Sequence, residues 1–343
     1  MKLASIEKIH TVSKHPNADA LDIVGVLGYK AIVKRDQYKV GELIVFIQPD
    51  TVLPDNTFWA AFYKSKSSRV KAVKLRGEWS MGIVESIQNV FGIEFIQTDG
   101  IVPFVEGVEV SEKIGVIKYE PPVPADLSAK GFLPYGIPKT DEERYQNLGV
   151  GGIPYQATVD VTLKIDGQSW TAYAKLEDGT VKTGICGRTL EFKDDVTNNY
   201  TLLDKKYRIL EKLTEYAQKH NVSIAIRGES YGQGIQAFKL NPHSSMQKDL
   251  AIFSVYLIDE KRHTGKGEQF YFRNVAADLN LPTVTILEDS VILTPEIIQK
   301  YDENLKEVNG KPFEGVVINV DRRSINGGVR SFKVINKYYD SNK

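Results

Sequence analysis

Ala157-Thr158-Val159-Asp160-Val161-Thr162-Leu163-Lys164-Ile165-Asp166-Gly167 is the stretch on which the reading of this chain turns. Its first seven residues alternate apolar and polar positions with several β-branched side chains, the pattern of a strand. A lysine held at a strand end is well placed to act as a nucleophile. Asp166, two residues on, projects to the same side of an extended chain, because side chains alternate with period two. Gly167 then lets the backbone turn or approach a ligand closely. Alone, Lys-x-Asp-Gly also occurs in solvated surface turns, so its meaning depends on the rest of the chain.

Length and composition set the outer bounds. A chain of 343 residues predicts two or three domains, and a 42% apolar share supplies their cores. The 44 basic and 44 acidic residues cancel, which gives no sign of a polyanionic partner but leaves room for a local basic groove. Cys186 is the single cysteine, so a disulfide framework and a cysteine zinc cluster are both excluded. The start, Met1-Lys2-Leu3-Ala4-Ser5-Ile6-Glu7, lacks an apolar signal core, and no apolar run is long enough to span a bilayer. The expectation is a soluble, intracellular protein, cytoplasmic by default, with no membrane partner.

Up to about Ile87 the chain reads as all-β. Short alternating segments recur at Ala20–Leu27, Lys30–Val33, Leu43–Ile47, Val70–Leu75 and Gly82–Ile87, separated by turn signals such as His15-Pro16-Asn17-Ala18-Asp19. That spacing suggests a small barrel. Residues 1–120 are expected to form this first domain. The Pro- and Gly-rich stretch 121–138 is a linker candidate, and 139–343 a second domain of mixed strands and helices. There, Tyr200–His220 has helical periodicity and Pro295–Val308 reads as a shorter helix. No internal repeat is evident.

Several later segments carry chemistry suited to work with Lys164. Ile224-Ala225-Ile226-Arg227-Gly228-Glu229 is an apolar strand closing on an acid beside glycine. Ile252–Ile258 is strongly β-prone and includes Phe253. Phe313-Glu314-Gly315-Val316-Val317 opens another strand on an acid, and Val329–Ile335 places Arg330 and Lys333 on a final one. Gly184-Ile185-Cys186-Gly187-Arg188-Thr189 offers an arginine in a glycine-rich turn.

Taken in order, Lys164–Gly167, Arg188, Gly228-Glu229, Phe253, Glu314–Val317 and Lys333 make the chain similar to the covalent nucleotidyltransferases, which include polynucleotide ligases and capping enzymes. The N-terminal stretches His15–Leu21 and Lys74–Gly82 resemble the OB-fold of tRNA-binding domains. In DNA ligases and capping enzymes the OB module follows the catalytic domain, whereas here it comes first. That order, with the run Thr140–Asn147, resembles the ATP-dependent RNA ligases that carry an N-terminal OB domain. The fold so implied is α+β: an OB β-barrel, then antiparallel β-sheets flanked by helices.

The resemblance implies a reaction as well. Lys164 attacks the α-phosphorus of ATP and is left bearing AMP as a phosphoramidate. AMP then passes to an RNA 5′-phosphate, and the 3′-hydroxyl displaces it, which seals nicked or broken duplex RNA. Lys164, Asp166 and Lys333 are the implied catalytic residues. The implied ATP and AMP contacts are Arg144, Gly167, Arg188, Glu229, Phe253, Glu314 and Val316, together with Lys164 and Lys333. Asp166, Glu229 and Glu314 are the implied carboxylates for Mg²⁺ or Mn²⁺, in keeping with the preference of hard cations for oxygen. The usual final motif has two lysines one residue apart; here Ser331 occupies one place, and Arg330 or Lys337 is a candidate substitute. The basic run Lys64–Arg76 is a candidate RNA contact beside Trp59, Phe62, Tyr63 and Trp79. A monomer is the favoured state. A DNA ligase or capping-type transferase with rearranged domains, and a non-catalytic RNA-binding protein, remain as alternative readings at this level.

Overall fold

The strand Ala4–Lys14 is the organising element of the N-terminal part. Its first half pairs antiparallel with Leu43–Ile47 and its second half with Leu21–Val26, with a register slip between Ile9 and Thr11. A slip of that kind bends a strand and increases its twist. The five-stranded sheet therefore curls into a half-barrel, ordered Tyr29–Lys34, Leu21–Val26, Ala4–Lys14, Leu43–Ile47, Ile83–Ser86. Alternating side chains supply its interior, with Ile9, Val24, Val26, Tyr29, Ile44 and Phe46 all buried. His15 closes the turn that the sequence marks: Asn17 N–H donates to its Nδ1 at 3.1 Å, and its Nε2 lies 3.1 Å from the Leu75 carbonyl.

This computed structural model describes residues 2–55, 57–64, 68–92, 104–119, 128–149, 151–237, 239–302, 307–308, 310–325 and 328–342. The chain divides into two units. One comprises Met1–Pro122 with Tyr145–Gly151 and Asp340–Asn342; the other comprises Val123–Arg144 and Gly152–Tyr339. Of the stretch expected as a linker, 121–127 lie outside the described residues. Ala129–Phe132 pairs with Leu190–Phe192 as an edge strand, and Ile137 packs against Tyr173 and Tyr256.

The second unit is built from two antiparallel sheets. The larger runs Ala129–Phe132, Leu190–Phe192, Thr180–Cys186, Gln168–Glu177, Ile224–Tyr231, Asp249–Leu257, Arg262–His263. Trp170, fully buried, donates its indole N–H to the Tyr200 carbonyl at 3.1 Å, which marks the face covered by helices. The smaller sheet runs Ile286–Ile292, Thr158–Lys164, Gly315–Val320, Ser331–Ile335. Thr158–Lys164 is thus an inner strand, with Val159, Val161 and Leu163 in the core.

Two helix expectations are corrected. Tyr200–His220 is two helices, Asn199–Tyr207 and Ile209–His220, broken at Arg208, whose φ of 55° is left-handed. Asp204 Oδ1 accepts from Leu210 N–H at 2.8 Å and so supplies the second helix with an end-cap that periodicity does not reveal. The helix begun at Pro295 ends at Asp302, residues 303–306 lie outside the described residues, and Glu307–Val308 is strand. Among the described residues no helix is long and apolar enough to cross a membrane.

Candidate active site

Lys164 is the last residue of its strand and pairs with Gly315, which brings Glu314 beside it. Lys164 Nζ lies 2.6 Å from Glu314 Oε2. Burial works to strip the ammonium of its proton, but the charges of Glu314 and Glu229 and the Glu314 hydrogen bond outweigh it, so the Lys164 pKa is raised. As folded, the amine is a tightly held cation.

Gly167 is demanded by space. A β-carbon built there would stand 2.2 Å from the Ser230 carbonyl oxygen and 2.9 Å from Glu229 Cγ. Its bare backbone lets Gly167 N–H donate to Glu229 Oε1 at 3.1 Å. Glu229 is pushed up to about 8, first by burial and then by Glu314 and Asp166, against the opposing pull of Lys164. Asp166 is buried, accepts from Tyr339 Oη–H at 2.8 Å, and its backbone carbonyl accepts from Asn241 Nδ2 at 2.8 Å. Lys164, Asp166, Gly167, Glu229 and Glu314 are therefore brought together.

The final strand contributes a second group. Lys333 N–H donates to the Glu143 carbonyl at 2.7 Å, and the backbones of Arg144 and Lys333 bridge in parallel. Lys333 Nζ reaches Asp141 Oδ1 at 3.2 Å. Ser331, at the place of the expected lysine, donates its hydroxyl to Glu142 Oε2 at 2.7 Å, and Arg330 Nη2 donates to Glu142 Oε1 at 3.1 Å. Lys337 is paired with Asp302 instead.

Phe253 sits at a bulge. Ser254 pairs with Arg227 and Ile252 with Gly228, so Phe253 is the extra residue between them. It is half-buried in a strand whose flanking residues are buried. Bulges of this kind re-aim a side chain. Arg188 lies half-buried in a bend, with no ion pair or hydrogen bond to its side chain among the described residues.

Val316 pairs with Leu163 and Val334 and is 0% exposed, on the face turned away from Lys164, because period-two alternation reverses successive residues. Val317, paired with Thr162 and Lys333 and half-buried, is the valine on the face of Lys164. Tyr339 and Asn241, which hold Asp166, carried no signal in the sequence: one follows the last strand and the other lies in a turn.

For a divalent ion the donor set is carboxylate oxygen, which suits a hard cation. Among the described residues no three His, Cys, Asp or Glu side chains converge as a preformed cage. An ion held by Asp166, Glu229 or Glu314 would complete its shell with water or phosphate oxygen, as magnesium commonly does.

A lysine at an inner strand's end, ion-paired to a glutamate from the neighbouring strand and facing a second glutamate across two antiparallel sheets, defines a covalent nucleotidyltransferase. The sequence profile described as RNA ligase matches residues 157–335, and one described as an OB-fold domain matches residues 3–87. The chain belongs to the RNA ligase family. No curated protein matches it in sequence. Among solved structures it is similar to Naegleria gruberi RNA ligase. A mutant of that enzyme with AMP and manganese matches at 25% identity and a TM-score of 0.79, over 100% of this chain and 99% of that one. Another with ATP and manganese matches at 26% and 0.80, with the same coverage. The form with pyrophosphate matches at 26% and 0.77, over 99% and 98%.

Proposed function

We propose that this ATP-dependent RNA ligase joins a 3′-hydroxyl to a 5′-phosphate in nicked or broken duplex RNA through a lysyl-AMP intermediate on Lys164. The Lys164–Glu314 pair at the mouth of the strand, 2.6 Å apart, is the observation that carries this reading. The similar Naegleria enzyme, held with ATP, AMP or pyrophosphate, supports ATP as the co-substrate.

In the first step Lys164 Nζ loses a proton and forms a bond to the α-phosphorus, and the bond from that phosphorus to pyrophosphate breaks. In the second, an RNA 5′-phosphate oxygen displaces Nζ, which makes a 5′–5′ pyrophosphate and frees the lysine. In the third, the 3′-oxygen attacks the RNA phosphorus and AMP leaves. Each is a displacement at phosphorus, so positioning and charge neutralisation dominate.

Glu314 holds the amine at the strand end, and a cation drawn to Glu314 would weaken its grip on the lysine proton. Magnesium or manganese, held by Asp166, Glu229 and Glu314, would supply that charge. Arg144, Arg188 and Lys333 would take phosphate oxygens, for which the arginine fork is suited. Glu229 would accept from ribose hydroxyls, and Phe253 would stack on the base. The N-terminal OB unit would bind the RNA, and the unit from about residue 139 on would carry the chemistry.

Incubation with α-³²P-ATP and Mg²⁺ or Mn²⁺ tests the reading. Label is expected on wild type and absent from Lys164→Ala. Wild type that stays unlabelled across nucleotides and metals would overturn the enzyme. Nicked duplexes with an RNA or a DNA 3′-hydroxyl strand separate RNA from DNA ligation, and labelling by GTP instead would favour capping chemistry.

A further inference from the structure

Arg227 stands two residues before Glu229 on the strand Ile224–Tyr231 and shares its face of the large sheet. It is 0% exposed, yet Nε, Nη1 and Nη2 all lack a hydrogen-bond partner among the described residues. Thr171 pairs directly with Arg227 across the sheet, is equally buried, and its Oγ1 is also without a partner. Buried polar groups are nearly always satisfied, and an unsatisfied guanidinium is among the costliest. Two such groups on adjacent strands point to a ligand that brings the missing atoms.

The surroundings narrow the ligand. Burial draws Arg227 down to about 10, which still leaves it charged at neutral pH. Its neighbours do not neutralise it. Burial pushes the Cys186 thiol up to about 12, and Glu142 is engaged by Arg330 and Ser331. His263, pulled down to about 3 by burial and then by Arg330 and Arg227, is neutral, with Nδ1 3.2 Å from Ser254 Oγ. Beyond Arg227 lies an apolar wall of Tyr173, Ala225 and Tyr256. On its other side come Glu229 and then Lys164, whose carboxyl neighbours are Glu314, Glu229 and Asp166. Phosphorus must arrive at Lys164. The Arg227 row lies one strand repeat further in, roughly 7 Å beyond Glu229, and Phe253 bulges out beside it. Of the groups that face Arg227, Arg330 is paired with Glu142 and Ser254 with His263. That leaves one cation and one hydroxyl without partners among the described residues, a set that suits the edge of a neutral heterocycle. A polyphosphate would call for several cations and water.

We infer that Arg227 donates a hydrogen bond to a ring nitrogen of the adenine base, with Thr171 Oγ1 as the second polar contact, and thereby sets how the base is held. This rests on reading the pocket as the ATP site. Adenine offers acceptors at N1, N3 and N7 and a donor at its exocyclic amine; the guanidinium supplies donors and the hydroxyl can accept.

Lys164 adenylylation is measured for wild type, Arg227→Met and Arg227→Lys with ATP and its 1-deaza, 3-deaza and 7-deaza analogues. One analogue is expected to raise KM at least fivefold in wild type with little change in kcat. Arg227→Met is expected to raise KM for ATP comparably and to be indifferent to that same analogue, while Arg227→Lys keeps part of the sensitivity. Wild type that treats all three analogues like ATP overturns the inference, and so does Arg227→Met showing the wild-type penalty for the analogue. Should Arg227→Met fail to fold, the wild-type series and Arg227→Lys still decide. Wild type that forms no lysyl-AMP with ATP itself counts against the nucleotide site as a whole, whereas labelling indifferent to every ring nitrogen counts against Arg227 alone.

Discussion

Glu229 shows how far this pocket departs from ordinary side-chain chemistry. In the folded chain it keeps its proton up to about pH 8, because burial and the nearby Glu314 and Asp166 outweigh Lys164. In the unfolded chain a glutamate loses its proton near pH 4.3. Between those two values the folded state binds the extra proton, so this residue's contribution to stability falls as pH rises and levels off above about 8. Glu229→Gln is neutral throughout and keeps an oxygen for Gly167 N–H. Its melting temperature relative to wild type is therefore expected to increase between pH 6 and pH 9, by roughly 2 °C or more. A difference that stays flat or reverses in differential scanning fluorimetry would show that Glu229 is already ionised at pH 6. The same substitution should reduce adenylylation, since it gives up a carboxylate that the ribose and metal need. Relative stability that rises at alkaline pH where activity is lost is the trade expected of a functional site.

At the scale of elements, the small sheet is tied together by Asp160, which is 0% exposed. It accepts from Lys266 Nζ at 2.5 Å, Tyr271 Oη at 3.2 Å, Arg273 Nη1 at 3.0 Å and Ser290 N at 2.9 Å. One carboxylate thus joins the Lys164 strand to the strand Ile286–Ile292 and to the helix Phe272–Asp278. Asp160→Ala leaves the buried Lys266 only the longer pair with the exposed Asp289, at 3.7 Å, and strips Tyr271 and Ser290 of their acceptor, and a loss of about 3 kcal/mol is expected. A urea midpoint within error of wild type would refute that. Asp160 also marks where sequence reading stops. The alternation of Val159, Val161 and Leu163 was legible because it records burial on one face. The ordered series of Lys164, Glu229 and Glu314 was legible because each sits where a strand meets glycine. Asp160 reads as the polar half of an alternating strand, whereas its partners lie 106 to 130 residues away. The break at Arg208 and the bulge at Phe253 escaped for a related reason: each is a departure from period that only the neighbouring element imposes. Val316 and Val317 show the same limit: their strand is apolar on both faces, so composition does not show which valine faces Lys164.

For the whole molecule, the side chains around Lys164 all belong to the unit of Val123–Arg144 and Gly152–Tyr339, while the OB sheet belongs to the other unit. On the proposed reading, attack on ATP draws on the first group, whereas sealing needs a polynucleotide as well, and the OB unit carries exposed cations such as Lys74. Of the basic run expected to contact RNA, 65–67 lie outside the described residues, and Arg69 is paired with Asp50 and stacked over Tyr119 at 4.2 Å. Lys74 is exposed, with its ammonium 5.5 Å from the Trp79 ring, and Lys71 lies three residues before it. A cation beside an aromatic ring in an OB module suits a single strand or a nick edge, where a base can stack and a phosphate can pair. Lys71→Ala/Lys74→Ala is expected to leave Lys164 labelling by ATP within twofold of wild type. Sealing of a nicked RNA duplex should fall about tenfold or more at moderate salt. The slope of log affinity for that duplex against log salt should become shallower, by roughly one for each phosphate that a removed lysine had neutralised. Equal losses in labelling and sealing would place these lysines in the fold or in the chemistry, and an unchanged salt slope would remove them from the RNA path. The measurement thus separates a chain whose two units divide binding from catalysis from one in which the catalytic unit handles RNA unaided.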